Sequence, residues 1–248
     1  MRKPLSLRGC LLAAIALTCF CAPSWAQGNI RTVLFVKVKW GQDESWKAAV
    51  KDYVALVKKA GSDQGFTVWE SQSGPTQHAV VWYSSKWKEI DEQNPKLKSV
   101  EADMARLFAR LDTVTDSLET WIDEMQPDMM VRSKEVPPMV RVGRTRVVSG
   151  KMDELKALFR DQIVPAVKKS GASDYGVAVA RFGTPANEIH SYLGLNGWAD
   201  LDATIGVEKG MSAAEFKAFQ AKLQPLIEST EWSMWKFHPE LSYIPAAK

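Results

Sequence analysis

The stretch VKKAGSDQG at residues 57–65 is nearly restated as VKKSGASDYG at residues 167–176. A helix stop that occurs twice in one chain raises the question of what else is repeated. SSKWKEIDE at 84–92 answers LNGWADLDA at 195–203, with Trp87 on Trp198 and Ile90 on Leu201. EMQPDM at 124–129 answers KFHPEL at 236–241. Three stretches match in one order at offsets of 110 to 112 residues, the pattern expected of two copies of one unit. They meet at VRSKEVPP, residues 131–138, whose paired prolines disfavour helix and suit an extended connection.

Each copy reads as the same series of elements. RTVLFVKVKW (31–40) is rich in β-branched and aromatic residues, a strand signature. Trp46, Ala49, Val50, Tyr53 and Val57 then fall at helical spacing, with Gly61 just beyond as a stop. GFTVWES and HAVVWYS flank the turn formers Ser73, Gly74 and Pro75 as two strands. Asn94 and Pro95 open a second helix that carries Val100, Met104, Leu107, Leu111 and Val114 on one stripe, and SLETWIDEM closes the unit as a strand. In the second copy MVRVGRTRVV, a helix kinked at Pro165, YGVAVARF, EIHSYLGL, a helix capped by Ser212 and Glu215, and TEWSMWKF follow in the same order. Both halves are therefore β-α-β-β-α-β, an α+β fold of the ferredoxin-like pattern. Two helices cover one face of a four-stranded sheet, and the other face needs burial. Two such sheets in one chain can bury those faces together as a pseudo-dimer.

The order of elements and the duplication resemble the dimeric α+β barrel superfamily, which includes antibiotic-biosynthesis-type monooxygenases and NIPSNAP-like proteins. The resemblance spans nearly all of the chain after its leader and rests on architecture, without a catalytic motif. It implies a barrel with an interior cavity and leaves the chemistry open, since that superfamily hosts cofactor-free oxygenases, isomerases, haem proteins and binders.

The division expected is a leader at 1–26, a first repeat at 27–130, a linker at 131–138 and a second repeat at 139–248. The leader combines Arg2, Lys3 and Arg8 with an apolar run from Cys10 to Ala22 and small residues at Ser24 and Ala26, a secretory signal by composition. A lipoprotein reading at Cys19 or Cys21 competes, with Thr18 and Phe20 as poor preceding residues. Cleavage after Ala26 places the protein in the periplasm or outside the cell. It removes all three cysteines, and with them any disulfide or thiol chemistry. It also brings the 32 Lys and Arg down to 29, equal to the 29 Asp and Glu. Near-neutrality argues against a nucleic-acid partner, whose binding rests on a basic surface, and no later segment has the length of a stable membrane span.

Chemistry is sparse. The histidines His78, His190 and His238 show no metal-site spacing, and no nucleophile elbow, P-loop or dinucleotide fingerprint occurs. No metal site and no resident cofactor are expected, although a haem held by one histidine stays open. The copies differ in one informative place. Strand alternation sets Gly143, Thr145 and Val147 on a face that a helix approaches, and turns Arg144 and Arg146 the other way. Ile189, Leu193 and Leu195 likewise face helices, so His190 and Tyr192 face the interior. The matching positions in the first copy are Phe35, Lys37, Ala79 and Val81.

This asymmetry gives one site. His190 is the candidate acid/base and Tyr192 a hydrogen-bond donor. Arg144 and Arg146 orient a carboxylate or enolate oxygen, and Phe35 and Lys37 stand on the opposite wall. The structural alternative has the arginines paired with Glu119 or Glu231 and His190 satisfied within the core. Glu70 and Arg181, at matched positions, suggest a salt bridge between the halves. The functional expectation is a small, largely apolar ligand with an acidic or enolic group. A cofactor-independent monooxygenase or isomerase and a non-catalytic interaction protein are the alternatives, and a homodimer of the whole chain stays open.

Overall fold

The computed structural model describes residues 28–245 apart from Gln93, Lys134 and Ser173. The expected leader and its cysteines lie outside the described residues. The first half runs β1 (Ile30–Val38), α1 (Asp43–Lys59), β2 (Thr67–Ser71), β3 (His78–Ser84), the short α2 (Lys88–Asp91), α3 (Glu101–Val114) and β4 (Thr115–Met125). The second runs β5 (Met139–Val147), α4 (Met152–Leu158), α5 (Val164–Ser170), β6 (Tyr175–Phe182), β7 (Glu188–Leu195), the short α6 (Gly206–Gly210), α7 (Ala213–Leu223) and β8 (Ile227–Phe237). No helix among the described residues is long and apolar enough to cross a membrane.

The strands form one closed antiparallel barrel in the order β1-β3-β2-β8-β5-β7-β6-β4. Within it the first half contributes β4-β1-β3-β2 and the second β8-β5-β7-β6, the ferredoxin-like order each time. The halves are joined at their edges and do not merely stack face to face. β2 pairs with β8 through Trp69↔Phe237, Glu70↔Lys236 and Ser71↔Trp235, and β4 pairs with β6 over Ile122–Met125. Edge pairing supplies partners for backbone groups that an open sheet would leave exposed.

Local signals account for the helices. α1 buries Trp46, Ala49, Val50, Val54 and Val57 on one stripe, with Asp43 and Glu44 in its first turn and Lys58 and Lys59 in its last, charges matched to the helix dipole. Asn94 caps a 3-10 turn over Pro95–Val100 by accepting from the Lys96 amide, and the α-helix proper starts only at Glu101. Before Pro165 the helix widens into a π turn at Phe159–Ile163, so the missing amide and the bulky ring are absorbed without ending it. Ser212 and Glu215 form a reciprocal capping box on α7.

Three apolar clusters result. α1 and α3 cover the outside of the first half around Trp46, Val54, Phe66 and Val68. α4, α5 and α7 cover the second around Leu155, Val167, Ile189 and Phe219. Ile189, Leu193 and Leu195 lie in that outer cluster, which turns the alternate residues of β7 inward. The third cluster is inside the barrel: Val33, Phe35, Ala79, Val140 and Trp235, with Trp69, Val81, Trp121 and Val142 against it.

Candidate functional site

The barrel is hollow. A cavity of about 520 Å³ runs between the two halves. One wall is apolar and aromatic: Phe35 packs on Trp121 at 4.3 Å and on Trp235 at 5.6 Å between ring centres, with Trp69 beside them. The other wall carries Arg31, Tyr83, Arg144, His190 and Tyr192.

The polar wall is built by register. β1 pairs with β4 so that Arg31 lies opposite Asp123, and their side chains form a buried ion pair at 2.5 Å, with a second bond from Nε at 3.2 Å. A register shift between Ile122 and Asp123 against β6 sits at the same place. Burial pushes the Asp123 carboxyl up, but the Arg31 charge and His190 together bring it below its usual value. His190, 1 % exposed, faces a carboxylate from each ring nitrogen: Nδ1 stands 3.1 Å from Asp123 and Nε2 3.4 Å from Glu188. The Asp123 contact has ion-pair distance but lies off the direction of a good hydrogen bond, since both atoms remain without a hydrogen-bond partner.

Arg144 lies opposite His190 and Glu231 in the ladder. It donates to Glu188 at 3.0 Å, approaches Glu231 at 3.7 Å, and lays its guanidinium over the Trp121 ring at 4.4 Å. For Glu188, burial raises the carboxyl and Arg144 and His190 outweigh it, leaving it below its usual value. A chain of charge thus runs Arg31, Asp123, His190, Glu188, Arg144, drawing on both halves. Arg144 remains 31 % exposed at its side chain, open to the cavity. Tyr192 lies under the Arg31 guanidinium at 5.6 Å, and burial holds its hydroxyl well above the usual tyrosine range, so it stays a donor.

The structure therefore brings Phe35, Arg144, His190 and Tyr192 to one cavity, with Ala79 and Val81 opposite. Lys37 and Arg146 lie outside its lining. Lys37 stands just past the last β1–β3 pair, Val36↔His78, and pairs with Asp116 at 2.9 Å. Arg146 lies half-exposed at the far end of β5, 3.5 Å from Glu188. Glu70 and Arg181 do not pair. Glu70 points to the outer face, bonded to His238 at 2.8 Å and near Lys47 at 3.4 Å, whereas Arg181 pairs with Glu124 across the β4–β6 seam. Of the small-residue face, Val147 is buried under helices, but Gly143 is covered by the Trp232 side chain, which would stand 2.6 Å from a Cβ there.

Several cavity groups escaped sequence reasoning. Arg31 was legible, since it shares the period-2 face of Val33 and Phe35. Asp123 and Trp121 share a face on β4 in the same way. Asp174 was not legible: it precedes β6 in a turn, yet lines the cavity beside the 131–138 connection. That connection is itself part of the wall. Val131 bridges to the Tyr175 backbone, and Val136 and Pro137 line the cavity.

The histidines do not suit a histidine-held haem. His78 is on the outer face, buried, stacked on Trp46 at 4.0 Å and bonded to Asp43 at 2.7 Å. His238 is engaged at both nitrogens by Glu70 and Glu240. His190, the one histidine in the cavity lining, has a carboxylate at each nitrogen. None presents to the cavity a ring nitrogen that is clear of a carboxylate. Among the described residues no cluster of three or more His, Cys, Asp or Glu has the geometry to hold a metal ion.

No protein family and no curated protein matches the chain by sequence. Solved structures do match by fold. A proposed monooxygenase of Fusobacterium nucleatum shares 14 % identity over 84 % of this chain and 91 % of its own, with a TM-score of 0.59. An anthrone oxidase-like protein shares 12 % over 86 % and 93 %, with a TM-score of 0.54. A proposed monooxygenase of Lactobacillus acidophilus shares 9 % over 88 % and 97 %, with a TM-score of 0.53. At these identities the likeness is one of fold, and the chain shares the ferredoxin-like α+β barrel of these proteins.

Proposed function

We propose that the chain is a fused pair of βαββαβ units whose barrel binds a small, largely apolar molecule carrying an acidic or enolic group. The observation that supports this reading is a cavity of about 520 Å³ with an aromatic wall on one side and Arg144, His190 and Tyr192 on the other. A volume of that order accepts a small organic molecule, and a few polar groups on an apolar lining orient it. In this reading the rings of Phe35, Trp121 and Trp235 hold the flat body of the ligand. Arg144 and the Tyr192 hydroxyl meet its oxygen. A fully packed barrel acting only as an interaction module is disfavoured by the same hollow interior.

The enzymatic alternative is a cofactor-independent monooxygenase or isomerase acting on a ring or enol. Its support is the convergence of His190, Tyr192 and Arg144 on an apolar pocket, in a fold shared with proteins named as monooxygenases and as anthrone oxidase-like. His190 serves as acid/base in that reading only by giving up its contact to Glu188. Export through the basic and apolar leader belongs to the same proposal and puts the ligand outside the cytoplasm.

Native mass spectrometry of protein recovered from the exporting cell, without refolding, tests the binding reading. A mass excess that disappears on denaturation supports it and gives the ligand's mass. Oxygen uptake with a panel of phenols, lost in His190→Ala, separates turnover from binding.

A further inference from the structure

Glu119, Glu135, Asp174 and Glu231 line the cavity, Glu135 and Glu231 being exposed, while Asp123 and Glu188 are buried outside the lining. Asp123 is closed by Arg31, Glu188 by Arg144, and Glu119 accepts from the Trp121 indole at 2.6 Å. Glu231 stands 76 % exposed beside Arg144. Asp174 differs. It lines the cavity at the end where Tyr83 and Tyr192 stand, and its backbone is fixed because its carbonyl accepts from the Gly194 amide at 2.9 Å. Gly194 permits this approach: a Cβ there would come within 2.9 Å of the Asp174 Cβ and 3.0 Å of Pro137. The Ser133 amide donates to the carboxylate.

The titratable and charged groups around it come from every neighbouring element: Arg132 on the connection, Tyr83 on β3, Tyr192 on β7, and Arg31 with Asp123 behind them. Both tyrosine hydroxyls are held protonated by burial, so each keeps a hydrogen to donate beside its acceptor lone pairs. For a ligand hydroxyl in this end of the cavity the ionised Asp174 carboxylate is a stronger acceptor than a neutral phenol, and each His190 nitrogen already faces a carboxylate, Nδ1 at 3.1 Å and Nε2 at 3.4 Å.

We infer that Asp174 is the group that receives the acidic hydrogen of the ligand, so that the cavity distinguishes a hydroxyl-bearing ring from the same ring without the hydrogen. The inference rests on the binding reading above. It is supported by the environment of the carboxyl, which burial lifts to about 6 against the pull of Ser133 and Arg132. The ionised acceptor is thus present above that pH and is replaced below it by a neutral carboxyl, a weaker acceptor.

The test is calorimetric titration of the full chain with naphthol and with its methyl ether, from about pH 5 to about pH 8. Naphthol affinity is expected to rise about tenfold across that range, the usual worth of a hydrogen bond to an ionised acceptor, while the ether stays flat. Asp174→Asn removes the rise, and retained ether binding shows that the cavity of the variant is intact. A rise that survives Asp174→Asn, or that the ether shares, overturns the inference and leaves the binding reading standing. Failure of both probes to bind at any pH overturns the two together.

Discussion

Asp123 on β4 and His190 on β7 stand 3.1 Å apart, and this contact joins the charged groups of the first half to those of the second. Behind it Arg31 closes on the same carboxylate at 2.5 Å with almost no solvent. Removing one member strands a buried charge, which costs far more than the intact pair contributes. Arg31→Met is expected to lower unfolding stability by about 3–5 kcal/mol, and the double variant Arg31→Met/Asp123→Leu to recover most of it. Urea unfolding checks both. A double variant as unstable as the single would show that the pair is required for the barrel and is not merely compensated within it.

Two carboxyl groups give opposite pH signatures. Asp123 is depressed in the folded state, so its contribution is present above its unfolded value and is lost as pH falls through the folded one. Asp174 is raised from 3.8 to about 6, so it costs nothing below the lower value and its full penalty applies above the higher. Asp174→Asn should leave stability almost unchanged at about pH 3 and raise it by about 2–3 kcal/mol at about pH 8. Thermal melts at the two pH values measure the difference.

Two strand glycines separate close packing that can yield from packing that cannot. A Cβ at Gly176 would lie 2.1 Å from the ring and hydroxyl of Tyr192, which is partly buried with the Arg31 guanidinium 5.6 Å from its ring. A Cβ at Gly143 would meet Trp232, whose side chain is 56 % exposed and can swing away. Gly176→Ala is expected to destabilise by about 2–3 kcal/mol and Gly143→Ala by under about 1 kcal/mol. The ranking is read from denaturation midpoints.

The capping box of α7 is local and should behave so. Ser212→Ala leaves the Glu215 amide without its acceptor and is expected to cost about 1 kcal/mol, with cavity binding unaffected. A larger loss would mean that α7 docking depends on the cap.

Trp121 touches both walls, with Phe35 on one side and Arg144 and His190 on the other. Trp121→Phe should weaken binding of a flat aromatic probe about tenfold. Fluorescence titration reports it, and an unchanged affinity would move the ligand away from this ring.

The order of strands and helices was legible in the sequence because it depends on local quantities. Period-2 runs made β1 and β5, the Trp46–Val57 stripe made α1, and Ser212 with Glu215 started α7. The inward direction of His190, Tyr192 and Arg144 was legible for the same reason, since alternation fixes the face once Ile189 and Leu193 are given to the helices. Three things were decided only by the tertiary structure. The seams at β2–β8 and β4–β6 close the barrel through pairings whose partners lie far apart in the chain. The depth at which a face ends decides that Phe35 lines the cavity and Lys37, two residues on, does not. The choice of partner follows from register across strands: Asp123 meets Arg31 and His190, and Glu70 goes to His238 and not to Arg181. Alternation specifies which side of a strand a residue takes, a property of the local backbone. Which charge it meets there is set by the long-range hydrogen-bond ladder, and no short stretch of sequence carries that information.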